Sequence, residues 1–214
     1  MQLALALRLI GSWEPFSKLP QPTQARLAES MQALRLRPGQ KLYDFEDLPP
    51  GVALIAKGQM RLLTMDERKE PFTLRRLGPG DTAGAVSLLR GIPGQSLAAS
   101  QPSQLWLLPK DFFLKAVMAS PSLQLAFAQP NLEELFDVSS CSPSPRTPSK
   151  QDLRDWASNQ IEASIDDHQV LILPPGEHQF GSSWGPWLVS SSNVAGAAPG
   201  EELLGPLKLT VKGK

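Results

Sequence analysis

Reactive and charged chemistry is scarce in this sequence. One cysteine, Cys141, stands among 214 residues, which excludes an internal disulfide framework and points to a reducing compartment. The two histidines, His168 and His178, have no cysteine cluster beside them, so a metal site is not expected and both read as surface residues. Twenty-one basic residues balance twenty-one acidic ones, and the basic footprint of a nucleic-acid binder is missing. No apolar run reaches the roughly 18 residues that span a bilayer. The opening MQLALALRLIGSW has neither a basic region before it nor a small-residue cleavage site after it. Leu3, Leu7 and Ile10 fall on one helical face there, which predicts a docking helix rather than a signal peptide.

Enzyme signatures are missing too. Ser182-Ser183 and Ser190 to Ser192 lie outside any G-x-S-x-G elbow, and neither histidine has a recognisable nucleophile partner. Asp166-Asp167 reads as a turn, with a metal pair as the alternative. The expectation is a non-enzyme with no catalytic residue, no metal and no nucleic-acid partner.

Proline, by contrast, is abundant at 21 residues, roughly twice the usual 5%. That density suits short strands joined by turns. Thr23 is expected to cap a helix carrying Leu27, Met31 and Leu34. Strands then follow within 34–45, broken at Pro38-Gly39, within 51–65, broken at Lys57-Gly58, and within 72–81, ending at Pro79-Gly80. A short helical turn (83–89), a Gly-Pro-Gly loop (91–94) and strands at 96–100 and 104–109 come next, and helices follow Pro109, interrupted at Pro130. Residues 139–149, SSCSPSPRTPS, read as a linker between a first domain, 1–138, and a second segment, 150–214.

That second segment repeats the order of the first. VLILPPGEHQF (170–180) parallels LRLRPGQKLYDF, GPWLVSSSNV (185–194) parallels GVALIAKGQM, and APGEELLGPLKL (198–209) parallels GPGDTAGAVSL. The Pro-Gly pairs 38–39 and 175–176 lie 137 residues apart but 79–80 and 199–200 only 120 apart, so the second copy is shortened between them. Two unrelated β-segments with common turn chemistry are the alternative. Trp184 and Trp187, around a Gly-Pro turn, are expected to pack this unit, a partner interface being the other reading.

The segments PFSKL, RLAESMQALRLRPGQKLYDFEDLPPGVALIAKGQMRLL, RRLGPGDTAGAVSLLRG, SLAAS and WLLPKDFF together resemble a cyclic nucleotide-binding domain of the catabolite activator family over about 15–138. The resemblance implies a mainly β (α+β) fold: a double-stranded β-roll, or jelly roll, flanked by helices, here followed by a second, partial β-roll-like unit. It also implies a phosphate cassette at Gly84, Ala85, Val86, Gln95 and Ser96. In the family, a carboxylate for the ribose follows the glycine and an arginine grips the phosphate; Ala85 and Gln95 stand at those places. A charge-assisted arginine–phosphate contact is worth about 1.5–3 kcal/mol, or one to two decades of affinity. Gln95 offers only a neutral amide, so no cyclic nucleotide cofactor is expected to bind tightly. Arg90 is expected to be a solvated surface residue, the alternative being that it reaches the phosphate.

The chain is also similar to the N-terminal region of some bacterial peptidase-containing ABC exporters. That likeness implies a cytoplasmic regulatory or scaffolding module at the inner face of the membrane, whose partners are transporter domains or another protein. The family's long helix implies a homodimer, which Pro130 disfavours. A functional cyclic AMP, cyclic GMP or small-anion sensor is the alternative. A transcription regulator is a second alternative, opposed by the acidic helix at 150–165, which DNA phosphates would repel.

Overall fold

The computed structural model describes residues 2–66, 68–129, 131–141, 149–163, 170–181 and 186–213. Two compact units are present: Met1–Met65 with Lys69–Leu88 and Pro93–Phe127, and Ala128–Lys214 with Asp66–Arg68 and Leu89–Ile92. The helices Leu132–Cys141 and Lys150–Ala163 pack against each other in the second unit, so this division falls ahead of the Ser/Pro stretch.

The first unit opens with α1 (Gln2–Ser12), a short 3-10 turn (Phe16–Lys18) and α2 (Gln21–Ser30). On α1 the buried stripe is Ala6 and Ile10, while Leu3 remains 45% exposed, so the apolar face lies one step round from the predicted one. Pro20, not Thr23, is the N-cap of α2: it presets the extended backbone at the helix entry, and Thr23 lies inside the first turn. Met31 terminates that helix and Leu34 belongs to the strand that follows.

Eight strands come next: β1 (Gln32–Leu36), β2 (Lys41–Tyr43), β3 (Gly51–Lys57), β4 (Met60–Met65), β5 (Pro71–Leu77), β6 (Thr82–Ala83), β7 (Ser96–Ala99) and β8 (Ser103–Pro109). They form two antiparallel four-stranded sheets, ordered β1-β8-β3-β6 and β2-β7-β4-β5. The double-stranded roll is thus present. Helix α3 (Ala85–Arg90) lies between β6 and β7, and α4 (Lys110–Ala119) and α5 (Pro121–Phe127) follow β8.

Burial explains which segments occupy the middle of each sheet. In β3 the first five residues, GVALI, are all buried, as an internal strand covered on both faces requires. It pairs with β8 from Gly51↔Pro109 to Lys57↔Gln104 and with β6 at Ala53↔Ala83 and Leu54↔Thr82. Leu54, Leu105 and Leu108 from one sheet and Met60, Leu62 and Leu97 from the other are at most 1% exposed. Each such side chain contributes about 1.5–3 kcal/mol. Phe16, Phe113 and Phe127 add edge-on ring contacts at 6.5 and 5.4 Å.

The second unit contains α6 (Leu132–Cys141), α7 (Lys150–Ala163), β9 (Gly176–Phe180), β10 (Trp187–Leu188), β11 (Glu202–Leu203) and β12 (Leu207–Val211). Ser139, Ser140 and Cys141, read from sequence as the start of the linker, are the last turn of α6; Ser140 Oγ donates to Phe136 O at 2.8 Å. The Ser140 hydroxyl is thus satisfied on the preceding turn. The rest of the stretch up to Pro148 lies outside the described residues, as do Asp166, Asp167, His168 and Trp184. Helix α7 carries Asp152 and Asp155 together with Lys150 and Arg154, begins at a Ser149–Asp152 hydrogen bond of 2.6 Å, and pairs Arg154 with Asp155 at 2.6 Å. His178 lies on β9, and its Nε2 is 2.8 Å from Pro174 O. Trp187 packs on Phe180 with ring centroids 5.0 Å apart and planes tilted by 48°, the packing role expected of it.

Backbone bonds in this unit duplicate those of the first at atomic detail. Gly80 N–H donates to Ile55 O at 3.0 Å and Ile55 N–H to Asp81 O at 3.0 Å. Gly200 N–H donates to Val189 O at 2.8 Å and Val189 N–H to Glu201 O at 2.9 Å. In each turn the acid also caps its own start: Asp81 Oδ2 accepts from Gly78 N–H at 2.8 Å and Glu201 Oε2 from Ala198 N–H at 2.9 Å. Both turn glycines have positive φ, +95° and +86°. β9 pairs antiparallel with β12, as β2 pairs with β7. Lys212 N–H donates to Asn193 O at 2.8 Å, as Ser100 N–H does to Gln59 O at 2.9 Å. In these matched positions residues 195–197 stand where 61–77 stand in the first unit.

Candidate ligand cassette

The cassette is the connection from β6 through α3 to β7. Its entry needs a glycine: Gly84 has φ +92°, and a Cβ there would sit 2.8 Å from Gly51 O. Ala85 follows, 6% exposed, with no polar atom to offer beyond its backbone. Val86 is half-buried on the first turn of α3. Leu88 N–H closes that turn onto Gly84 O at 3.2 Å.

Gln95 is 1% exposed and its Oε1 accepts from Ser87 Oγ at 3.4 Å. Ser96 is fully buried, and its hydroxyl donates to Tyr43 O at 3.0 Å. The neighbouring Asp44 carboxyl is held below its usual value, chiefly by the Lys41 side chain, then by the Phe45 N–H, with the Ser96 hydroxyl contributing least. The structure therefore brings Gly84, Ala85, Val86, Gln95 and Ser96 together on one connection. It also adds two residues that sequence reading missed, Ser87 as the partner of Gln95 and Asp44 beside Ser96. Their signal was faint, a serine one helical turn into the cassette and an acid at the end of a strand.

Arg90 is where the structure overturns the sequence reading. It is 3% exposed rather than solvated. Within the second unit its Nε donates to Ser190 O at 2.8 Å and to Ser190 Oγ at 3.2 Å, and its Nη1 pairs with Asp137. Ser190 Oγ in turn donates to Glu134, and Ser192 N–H donates to Arg90 O at 2.9 Å. The guanidinium is committed to a carboxylate and a backbone carbonyl, which suits its fork of donors. Its Nη2 is buried without a hydrogen-bond partner among the described residues.

Among the described residues no group of three His, Cys, Asp or Glu side chains could hold a metal ion. None of the described helices is long and apolar enough to cross a membrane. Two open furrows, of about 310 and 200 Å³, lie against α2, lined respectively by residues such as Leu3, Met31 and Trp106 and by Arg26, Glu29 and Phe112.

Comparison places the first unit in a class. Residues 33–120 match the family described as "Cyclic nucleotide-binding domain". The regulatory subunit of a cAMP-independent protein kinase A from Trypanosoma cruzi, bound to guanosine, superposes with a TM-score of 0.53 at 14% identity, over 76% of this chain and 50% of that one. The sensor domain of the transcriptional regulator DNR from Pseudomonas aeruginosa gives 0.53 at 16% identity, over 58% of this chain and 85% of that domain. The regulatory domain of Toxoplasma gondii protein kinase A, crystallised with cAMP, gives 0.53 at 16%, over 73% and 57%. This chain thus spans half the length of the trypanosome subunit. No curated protein matches the chain. The fold of residues 33–120 is that of a cyclic nucleotide-binding domain, and similar folds occur in regulatory subunits and sensor domains.

Proposed function

We propose that this chain is a regulatory or scaffolding module whose roll keeps the shape of a nucleotide receptor without gripping the nucleotide. The observation that carries the reading is the state of Gln95 and Ser96. Both are buried, and their polar atoms are engaged by Ser87 and by the Tyr43 carbonyl. A phosphate entering there would have to break these bonds and would meet no guanidinium. Ala85 supplies no acceptor for a ribose hydroxyl.

The work of such a module is to hold a protein partner. A setting beside the transporter domains of a bacterial export machine, at the cytoplasmic face of the membrane, is the finer part of this proposal. It rests on the sequence resemblance alone. Calorimetric titration of the chain with cyclic AMP and cyclic GMP tests the central reading. The expected outcome is no heat of binding at micromolar ligand; a dissociation constant tighter than about 10 μM would instead make it a working sensor.

A further inference from the structure

Charge is sorted by element in the first roll. Every charged side chain carried by its eight strands is basic: Arg35, Lys41, Lys57, Arg61, Arg75 and Arg76. The whole chain nevertheless balances twenty-one cations against twenty-one anions. Segregation of this kind bears on association rather than on topology, because the layout of charge steers partners and does not choose a fold. Two of these cations have carboxylate partners: Lys41 Nζ is 2.7 Å from Asp44 and Arg75 Nη2 is 3.2 Å from Asp81. Arg61 and Arg76 are exposed and meet no acidic partner among the described residues.

The strand register brings three of the cations into one line. Lys41 lies opposite Ala98, Ala98 opposite Arg61, and Arg61 opposite Arg76, so one row crosses β2, β7, β4 and β5. Residues directly opposite each other share a face of the sheet. Their chain neighbours Met60, Leu62, Leu77, Leu97 and Ala99 are at most 1% exposed, so the other face fills the roll and the row faces outward. Ala98 is 4% exposed between Lys41 and Arg61, as a small residue is when long aliphatic stems flank it. Adjacent strands lie about 4.8 Å apart, so two arginines leave neighbouring points of one surface. Like charges directly opposite each other destabilise a sheet. The fold gains nothing from this pair, and an anion seated on it would relieve the repulsion.

We infer that this row docks an acidic segment of a partner polypeptide, with carboxylates seated on Arg61 and Arg76. Lys41, already paired with Asp44, borders the site. The planar fork of arginine matches a carboxylate at two points, which suits a discrete acid better than a diffuse field. The surroundings of the row decide the class of anion. Asp44 directly follows β2, Asp66 follows β4 and Glu70 precedes β5, so acidic residues lie at the far ends of the same strands. A bilayer or a nucleic-acid duplex laid on this face would meet those residues too, whereas a short segment crossing at the level of the row would not. Screening over about 8 Å at physiological salt keeps the attraction local. A chain of zero net charge has no long-range pull on a polyanion. An acidic partner deepens the scaffolding reading, on which it rests. The row lies outside the cassette and its test uses no nucleotide, so the two can fail separately.

The experiment is fluorescence anisotropy of a dye-labelled short peptide of alternating glutamate and serine, titrated with the 214-residue chain. A dissociation constant of about 100 μM or tighter is expected at low salt, weakening as salt is raised. The same peptide with glutamine for glutamate should not bind. Arg61→Gln combined with Arg76→Gln should weaken binding about tenfold or more. The melting midpoint of that double variant should stay unchanged or rise, since a repulsion has been removed. Should the double variant misfold, amide chemical-shift mapping on the unaltered chain serves, with the largest shifts expected at Arg61, Arg76 and their strand neighbours. Equal binding of the glutamine peptide, undiminished binding by the double variant, or shifts centred elsewhere would overturn the inference. So would a fall in the melting midpoint of a folded double variant, which would make the pair structural. Tighter binding to vesicles of phosphatidylserine and phosphatidylcholine than to the peptide would also overturn it, by making the anion a lipid surface.

Discussion

Arg90 shows how far one side chain can depart from what its neighbours in sequence suggest. Its partners lie 47 and 100 residues away, at Asp137 and Ser190, so no local pattern announces them. Breaking a buried pair by removing one partner costs about 3–5 kcal/mol, because a charge is left uncompensated. Arg90→Ala is therefore expected to lower stability by that amount in denaturant titration. Arg90→Lys should recover only part of it, since an ammonium cannot serve Ser190 and Asp137 together with the same planar fork. A double-mutant cycle with Asp137→Asn should show strong coupling. Gly84 gives a second test: Gly84→Ala forces a side chain onto a backbone at φ +92° and into Gly51 O. The expected loss is about 1–3 kcal/mol by thermal melting.

At the scale of elements, Pro-Gly punctuation made most strands legible. The breaks at 38–39 and 79–80 fall between β1 and β2 and between β5 and β6, as read. Local chemistry decides such turns, and short-range sequence carries it. Helix ends were less legible: a proline outcompeted Thr23 at the start of α2, and α6 ran three residues into the Ser/Pro stretch. The strand-like run 170–173 misled for a different reason, since a strand exists only where a neighbour completes its ladder. The β2 corner offers a pH prediction. The Asp44 carboxyl is lowered in the folded chain from its usual value, mainly by Lys41. Its stabilising contribution is thus fully present above that value and is lost as pH falls through the folded one. Lys41→Ala should raise the Asp44 value, as read by NMR titration of its carboxyl carbon.

For the whole molecule, the roll was legible and the ligand question was only half so. Ala85 and Gln95 raise the expectation of weak binding in the sequence, but their burial and the Ser87 bond needed tertiary structure to appear. A ligand that binds only the native state raises stability by about 2.7 kcal/mol at one hundred times its dissociation constant. Cyclic AMP at millimolar concentration is therefore expected to leave the melting midpoint of the chain unmoved. A rise of several degrees would require a pocket that opens around Gln95.

The shortened connection at 204–206 carries a consequence for signalling. In the first unit, twelve residues join β6 to β7 and carry α3. In the second, three residues join β11 to β12, and such a loop has no helix to tilt and no cavity to fill. On the scaffolding reading proposed above, the abundance of a polypeptide partner, rather than of any nucleotide, is the variable such a roll would read.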